Sequence, residues 1–136
     1  MAEIVVEYMR ICAYRDRTCI MRDVIKAAKA LSDETRLRIL NILLERECCV
    51  CEVMQALEIS QSRASRNLGI LFNAGFLRTR REGMWVLYSA DESSGNRFVV
   101  SLTALLKEFF ADDDTLDMDR ERLKRSVRIG PGCGKE

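Results

Sequence analysis

After Gly75 the hydrophobic period of this chain changes. Ahead of it apolar residues recur at helical spacing; beyond it "FLRTR" and "WVLYS" alternate, are rich in aromatic and β-branched residues, and flank the turn "REGM". That predicts a β-hairpin with a basic tip. The stretch just before it, "EISQSRASRNLGILFNAG", has Ser60 placed to cap a helix and Gly75 to end it. Its expected inward face is Ala64, Leu68, Leu71 and Phe72; Gln61, Ser62, Ser65, Arg66 and Gly69 form the outward one. Across "LEIS" lies a shorter amphipathic stretch with Val50, Val53, Met54 and Leu57 on one face. Two short helices followed at once by a basic hairpin form the pattern of a winged helix-turn-helix.

The charge distribution agrees with duplex DNA as a partner. The net charge of +1 names none, but residues 60 to 89 carry five arginines (Arg63, Arg66, Arg78, Arg80, Arg81) against the single acid Glu82. An α-helix fits the major groove, so Gln61, Ser62 and Arg63 in the first turn, then Ser65 and Arg66 on the same side, are the candidate contacts to bases and phosphates. Arg78, Arg80 and Arg81 on the hairpin would supply salt-dependent affinity at phosphates or the adjacent minor groove. Arginines on a lone helix would more simply keep it soluble; the order helix, helix, basic hairpin argues for DNA.

The rest of the chain reads as helices around this unit. Ile4, Val5, Tyr8, Met9 and Cys12 recur at helical spacing from Ala2 to Ala13, and Ile20, Met21, Val24, Ile25, Ala28 and Leu31 continue the pattern. "LSDETRLRILNILLERE" starts at Ser32 or Asp33 and is apolar on more than one side, as a buried central helix would be. "NRFVVSLTALLKEFF" exposes too much apolar surface for a terminal helix in water, and a partner chain is its natural cover. The expected organisation is a mainly α, homodimeric winged helix-turn-helix over residues 1–110. A charged, partly flexible extension is expected over 111–136, where acids give way to bases and then Gly-Pro-Gly.

The thiols are the second constraint. "RECCVCEVM" puts Cys48, Cys49 and Cys51 within four positions of a chain that has six cysteines and no histidine. No apolar run approaches the roughly 18 to 20 residues of a membrane span, and the first residues carry acids where a secretion signal would carry bases, so a cytoplasmic location is expected, with no membrane partner. In a reducing compartment, clustered thiols point to metal binding or redox chemistry rather than a disulfide framework. Catalysis is not expected: without histidine no Cys-His pair can form, no glycine-rich phosphate loop is present, and "CVC" lacks the C-x-x-C spacing of thioredoxin-like sites. No organic cofactor is called for.

Over about residues 24 to 110 the chain resembles the ArsR/SmtB family of metal-responsive repressors, through "LSDETRLRILNILL", "CVCEVMQAL" and "ISQSRASRNLGILFNAGFLRTRREGMWVLYS". The resemblance implies a homodimer paired through its N-terminal and C-terminal helices that leaves a palindromic operator on binding its inducer. It also implies that "ECCVCEV" corresponds to the "ELCVCDL" type of motif in arsenic, antimony, cadmium and lead responsive members, with Cys49 and Cys51 as the paired ligands. The chain departs from that pattern twice: Met54 stands where a third cysteine is often found, and Asn67 replaces the usual histidine of the recognition helix, a change expected to alter operator preference.

Thiolates without histidine suit thiophilic ions such as As(III), Sb(III), Cd(II) or Pb(II). As(III) or Sb(III) is the expected inducer, with Cd(II) or Pb(II) as alternatives. At about 100° per residue, Cys49 and Cys51 point roughly 200° apart in an ideal helix and cannot share one small ion unless the first turn unwinds or the helix starts later. Cys48 is the first candidate for a third sulfur; Cys12 and Cys19 are the alternates, and Cys133 reads as a bystander. A helix start would also lower the cysteine pKa. The expected mechanism is that the ion selects a distorted start of this helix and shifts the recognition helix. The alternative is a redox switch in which two thiols oxidise.

Overall fold

The computed structural model describes residues 17–93 and 95–129. The helix expected over Ala2–Ala13, Cys12 and Cys133 fall outside that range, as does the side chain of Cys19. The order is α1 (Arg17–Leu31), α2 (Glu34–Glu45), α3 (Val50–Leu57), α4 (Gln61–Asn73), β1 (Leu77–Glu82), β2 (Trp85–Ala90), α5 (Arg97–Phe110) and α6 (Asp114–Arg125).

Local chemistry sets the boundaries. Asp33 caps α2 by accepting the Arg36 amide at 3.2 Å, and Ser60 caps α4 by accepting the Arg63 amide at 3.3 Å. The end of α4 is a Schellman closure: the Phe76 amide donates to the Leu71 carbonyl at 3.1 Å and the Gly75 amide to that of Phe72 at 3.0 Å. Gly75 sits at φ +91, a conformation that a side chain would strain. The hairpin pairs Leu77 with Ala90 through Glu82 with Trp85, so Gly83 and Met84 alone make the turn, and Gly83 at φ +60 supplies the positive φ such a turn needs.

α2 is the centre of the core, with Ile39, Leu40, Ile42 and Leu43 all buried. Around it pack Ala27 and Ala30 of α1, Val53 and Leu57 of α3, Leu68 and Leu71 of α4, Phe76 before the hairpin, and Val99 of α5. The apolar stripes of α1 and α5 face the other way. Met21 is 66% and Phe109 69% exposed, and Ile20, Ile25, Phe98 and Leu105 are exposed with them. A single copy of the chain thus leaves apolar faces on its first and fifth described helices uncovered.

Part of the charged extension expected after residue 110 is a helix built into the domain. α6 packs on α2 and α3, and Leu116 and Leu123 join the same core as the rest. Polar bonds from distant residues hold it there. Asp119 is fully buried and takes both prongs of the Arg38 guanidinium at 2.8 Å, with Arg122 at 2.5 Å; Asn41 donates to the Leu116 carbonyl at 3.2 Å.

Candidate metal centre and nucleic-acid interface

α3 begins at Val50, the first residue of the apolar pattern Val50, Val53, Met54 and Leu57, and leaves Cys49 outside the helix. Cys49 is its N-cap, with an extended backbone at φ −85 and ψ 170, and Cys51 lies in the first turn. The kink between extended and helical backbone removes the 200° separation and brings the two sulfurs to 2.8 Å. They pack against Leu87 and Trp85 of β2, in a small cluster separate from the main core.

Cys48 does not join them. It forms an antiparallel bridge with Tyr88, its amide donating to the Tyr88 carbonyl at 2.9 Å and the Tyr88 amide donating back at 2.8 Å. Adjacent residues of an extended segment point to opposite faces, so the Cys48 side chain turns into the main core while Cys49 turns away from it. There its thiol donates to the Arg46 carbonyl at 3.4 Å, and burial pushes its pKa up to about 12. The expected third ligand is thus buried in the main core. Among the described residues, no group of three or more cysteines and carboxylates is placed to hold a metal ion.

The expected lowering of the cysteine pKa at the helix start is also reversed at Cys49. Burial pushes the thiol up and the nearby Glu52 carboxylate adds to this, against the lowering effect of a backbone donor. Cys48 is a free thiol, whereas Cys51 is disulfide-bonded.

Glu52 organises this end of the helix. Its carboxylate accepts the Cys49 amide at 3.1 Å, Arg46 at 2.5 Å and Arg128 at 3.1 Å. Burial would raise its pKa, but these donors hold it below the usual carboxylate range. The signal for this role was in the sequence: "CVCE" has the spacing of a capping box, with cysteine where serine or threonine is usual.

The outward face of α4 carries Ser62, Arg63, Ser65 and Arg66, all exposed, with Gln61 half-buried beside them. Two details depart from the sequence reading. Phe72 is exposed and Asn67 buried, because Asn67 accepts from Arg36 Nη1 at 3.1 Å and donates to the Arg63 carbonyl at 2.9 Å. Asn67 therefore docks the helix onto α2 rather than facing a groove, and Arg36 also donates to the Ala30 carbonyl at 2.6 Å, tying α1 to the same point. Arg63 also turns back in part, donating to Thr35 at 2.7 Å. On the hairpin Arg78 donates to Ser89 at 3.2 Å and Arg81 is exposed. Arg80 is engaged by two carboxylates, Glu47 on both oxygens and Glu82 at 2.9 Å. Glu47, Cys48 and the Cys49/Cys51 pair are thus all joined to the hairpin.

Residues 33–79 match the family model "Bacterial regulatory protein, arsR family". The chain is 32% identical over 78 residues to the arsenical resistance operon repressor of Bacillus subtilis, covering 57% of this chain and 74% of that protein. The chain belongs to the arsR family. Another relative, a cadmium resistance transcriptional regulatory protein CadC homolog of Staphylococcus aureus, is 45% identical over 78 residues, 57% of this chain and 64% of that protein. A solution structure of a homodimeric winged helix-turn-helix DNA-binding domain from Mycobacterium bovis superposes with a TM-score of 0.59 at 31% identity, covering 74% of this chain and 89% of that one. The chain spans about half to two thirds of the length of the first curated relatives it matches. Among the described residues, this arsR-family chain has no helix long and apolar enough to cross a membrane.

Proposed function

We propose that this chain is a homodimeric transcriptional repressor that binds a palindromic operator and releases it when Cys49 and Cys51, both reduced, bind a thiophilic ion. As(III) is the preferred inducer and Sb(III) the next; Cd(II) and Pb(II) are the alternatives. The observation that carries the reading is the pairing of the two sulfurs at 2.8 Å at the start of the first helix of the helix-turn-helix. Soft thiolates without histidine favour such ions. With Cys48 turned into the core, we assign the third sulfur to Cys12 or Cys19.

Gln61, Ser62, Arg63, Ser65 and Arg66 read the major groove, and Arg78, Arg80 and Arg81 meet phosphates or the adjacent minor groove. Two copies pair through the exposed apolar faces of α1 and α5, and the two-fold axis that relates them makes the operator palindromic. An ion drawing the thiols into its own geometry moves the start of α3. That start is bonded to the hairpin through Cys48 and Tyr88 and leads directly into the recognition helix, so the ion-bound shape presents a different DNA-binding surface. The ion acts only through its difference in affinity for the two shapes.

A second reading is carried by the disulfide at Cys51: oxidation of this thiol, rather than ion capture, would be the signal. Fluorescence anisotropy of the reduced protein on its own promoter DNA, titrated in parallel with arsenite, cadmium, zinc and peroxide, separates the two. Release by near-stoichiometric arsenite with peroxide inert supports the ion sensor. Release by peroxide alone replaces it with the redox switch.

A further inference from the structure

The chain beyond α6 lies along the helix that begins at the thiols. Gln55 and Val127 bond reciprocally: the Gln55 side-chain amide donates to the Val127 carbonyl at 2.7 Å, and the Val127 amide donates back to Gln55 Oε1 at 3.1 Å. Arg46, at the other edge of the same region, donates to the Leu123 carbonyl at 3.1 Å and to Ser126 Oγ at 3.2 Å. Between these two anchors Arg128 reaches inward. Its Nε donates to Glu52 at 3.1 Å, its guanidinium stands 6.0 Å from the centre of the Trp85 ring, and Nη1 lies 3.8 Å from the Glu82 carboxylate.

We propose that residues 126–129 are a clasp over the thiol-bearing end of α3, with Arg128 as a positioning residue for the Cys49/Cys51 pair. The inference rests on the ion-sensing reading given above. Glu52 Oε1 accepts both the Cys49 amide and Arg128, so the clasp acts on the thiols through one shared oxygen. That oxygen holds Cys49 in the extended N-cap conformation, and this conformation is what lets sulfurs two residues apart converge. The other contacts of Arg128 are to Trp85 and Glu82 at the ends of the two hairpin strands. A tail merely settled on the surface would not send an arginine to a carboxylate whose side chain is only 4% exposed. The clasp prearranges the ligand pair, and an ion that binds a prearranged pair does not meet the cost of ordering it.

The test uses the full-length reduced protein and the variants Arg128→Ala and Arg128→Lys. Three quantities are read: hydrogen exchange of the Cys49 amide, arsenite affinity followed by the emission of Trp85, the one tryptophan in the chain, and operator affinity without ion. In Arg128→Ala the Cys49 amide exchanges faster and arsenite binds roughly tenfold more weakly, the loss expected for one charge-assisted hydrogen bond at a partly exposed residue. Ion-free operator affinity stays within about twofold, and Arg128→Lys, which keeps the charge, recovers part of both losses. Unchanged exchange with unchanged arsenite affinity overturns the clasp, as does an equal loss of operator affinity, which would mark a general defect of the fold. If the unsubstituted protein takes up no arsenite, the sensor reading fails on its own and the Cys49 amide alone decides the clasp.

Discussion

Replacing Asp119 by alanine tests whether α6 is an integral part of the domain. The carboxylate is completely buried and accepts two bonds from Arg38 at 2.8 Å and one from Arg122 at 2.5 Å. Removing one partner of a buried ion pair costs about 3 to 5 kcal/mol, because the charges left behind lose their compensation. The side chains of Arg38 and Arg122 keep 18% and 22% of their exposure, so water can reach both guanidinium groups and the lower end applies, about 3 kcal/mol. Equilibrium urea unfolding at one fixed protein concentration measures the change, since the stability of a dimer depends on concentration. The expected result is a lower midpoint with an unchanged slope, as for a pure loss of stability. A loss below about 1 kcal/mol, in the range of an exposed ion pair, would return residues 114–125 to the status of an extension.

Three further predictions follow from particular side chains. Cys48→Ala removes one buried sulfur and should lower stability by roughly 1 kcal/mol while leaving arsenite-driven release intact; loss of release in a folded variant would restore Cys48 as a ligand. Arg66→Gln should weaken binding to operator more than to random DNA in parallel anisotropy titrations, and an equal loss on both would demote Arg66 to a phosphate contact. Leu105→Glu, on the exposed face of α5, should shift sedimentation toward the monomer and weaken operator binding with it; an unchanged dimer would move the interface elsewhere.

What was legible in the sequence is what local chemistry decides. The caps at Asp33 and Ser60, the glycine after α4 and the two-strand hairpin all follow from short-range bonding, and each stands where its residues predict. The misreadings are non-local. Periodicity alone places Phe72 inward, but Asn67 turns in to accept from Arg36, 31 positions before it, and Phe72 is exposed. The sequence of α6, where acids give way to bases, reads as an extension, and only the pairing of Asp119 with Arg38, 81 positions away, ties it to the core. At the thiols, helical geometry required the first turn of α3 to unwind or start later if Cys49 and Cys51 are to share an ion, and Cys49 stands outside the helix as its N-cap. It could not show that the extended segment before that start pairs with Tyr88 and so sends Cys48 to the opposite side from Cys49.

The most direct test of the account is operator release by arsenite in the reduced Cys49→Ser and Cys51→Ser proteins, measured by anisotropy beside the unsubstituted chain. Each serine variant should bind operator with nearly the original affinity and remain bound at arsenite concentrations that free the unsubstituted protein. Release retained in both variants would mean that the converging thiols at the start of α3 are not the sensor.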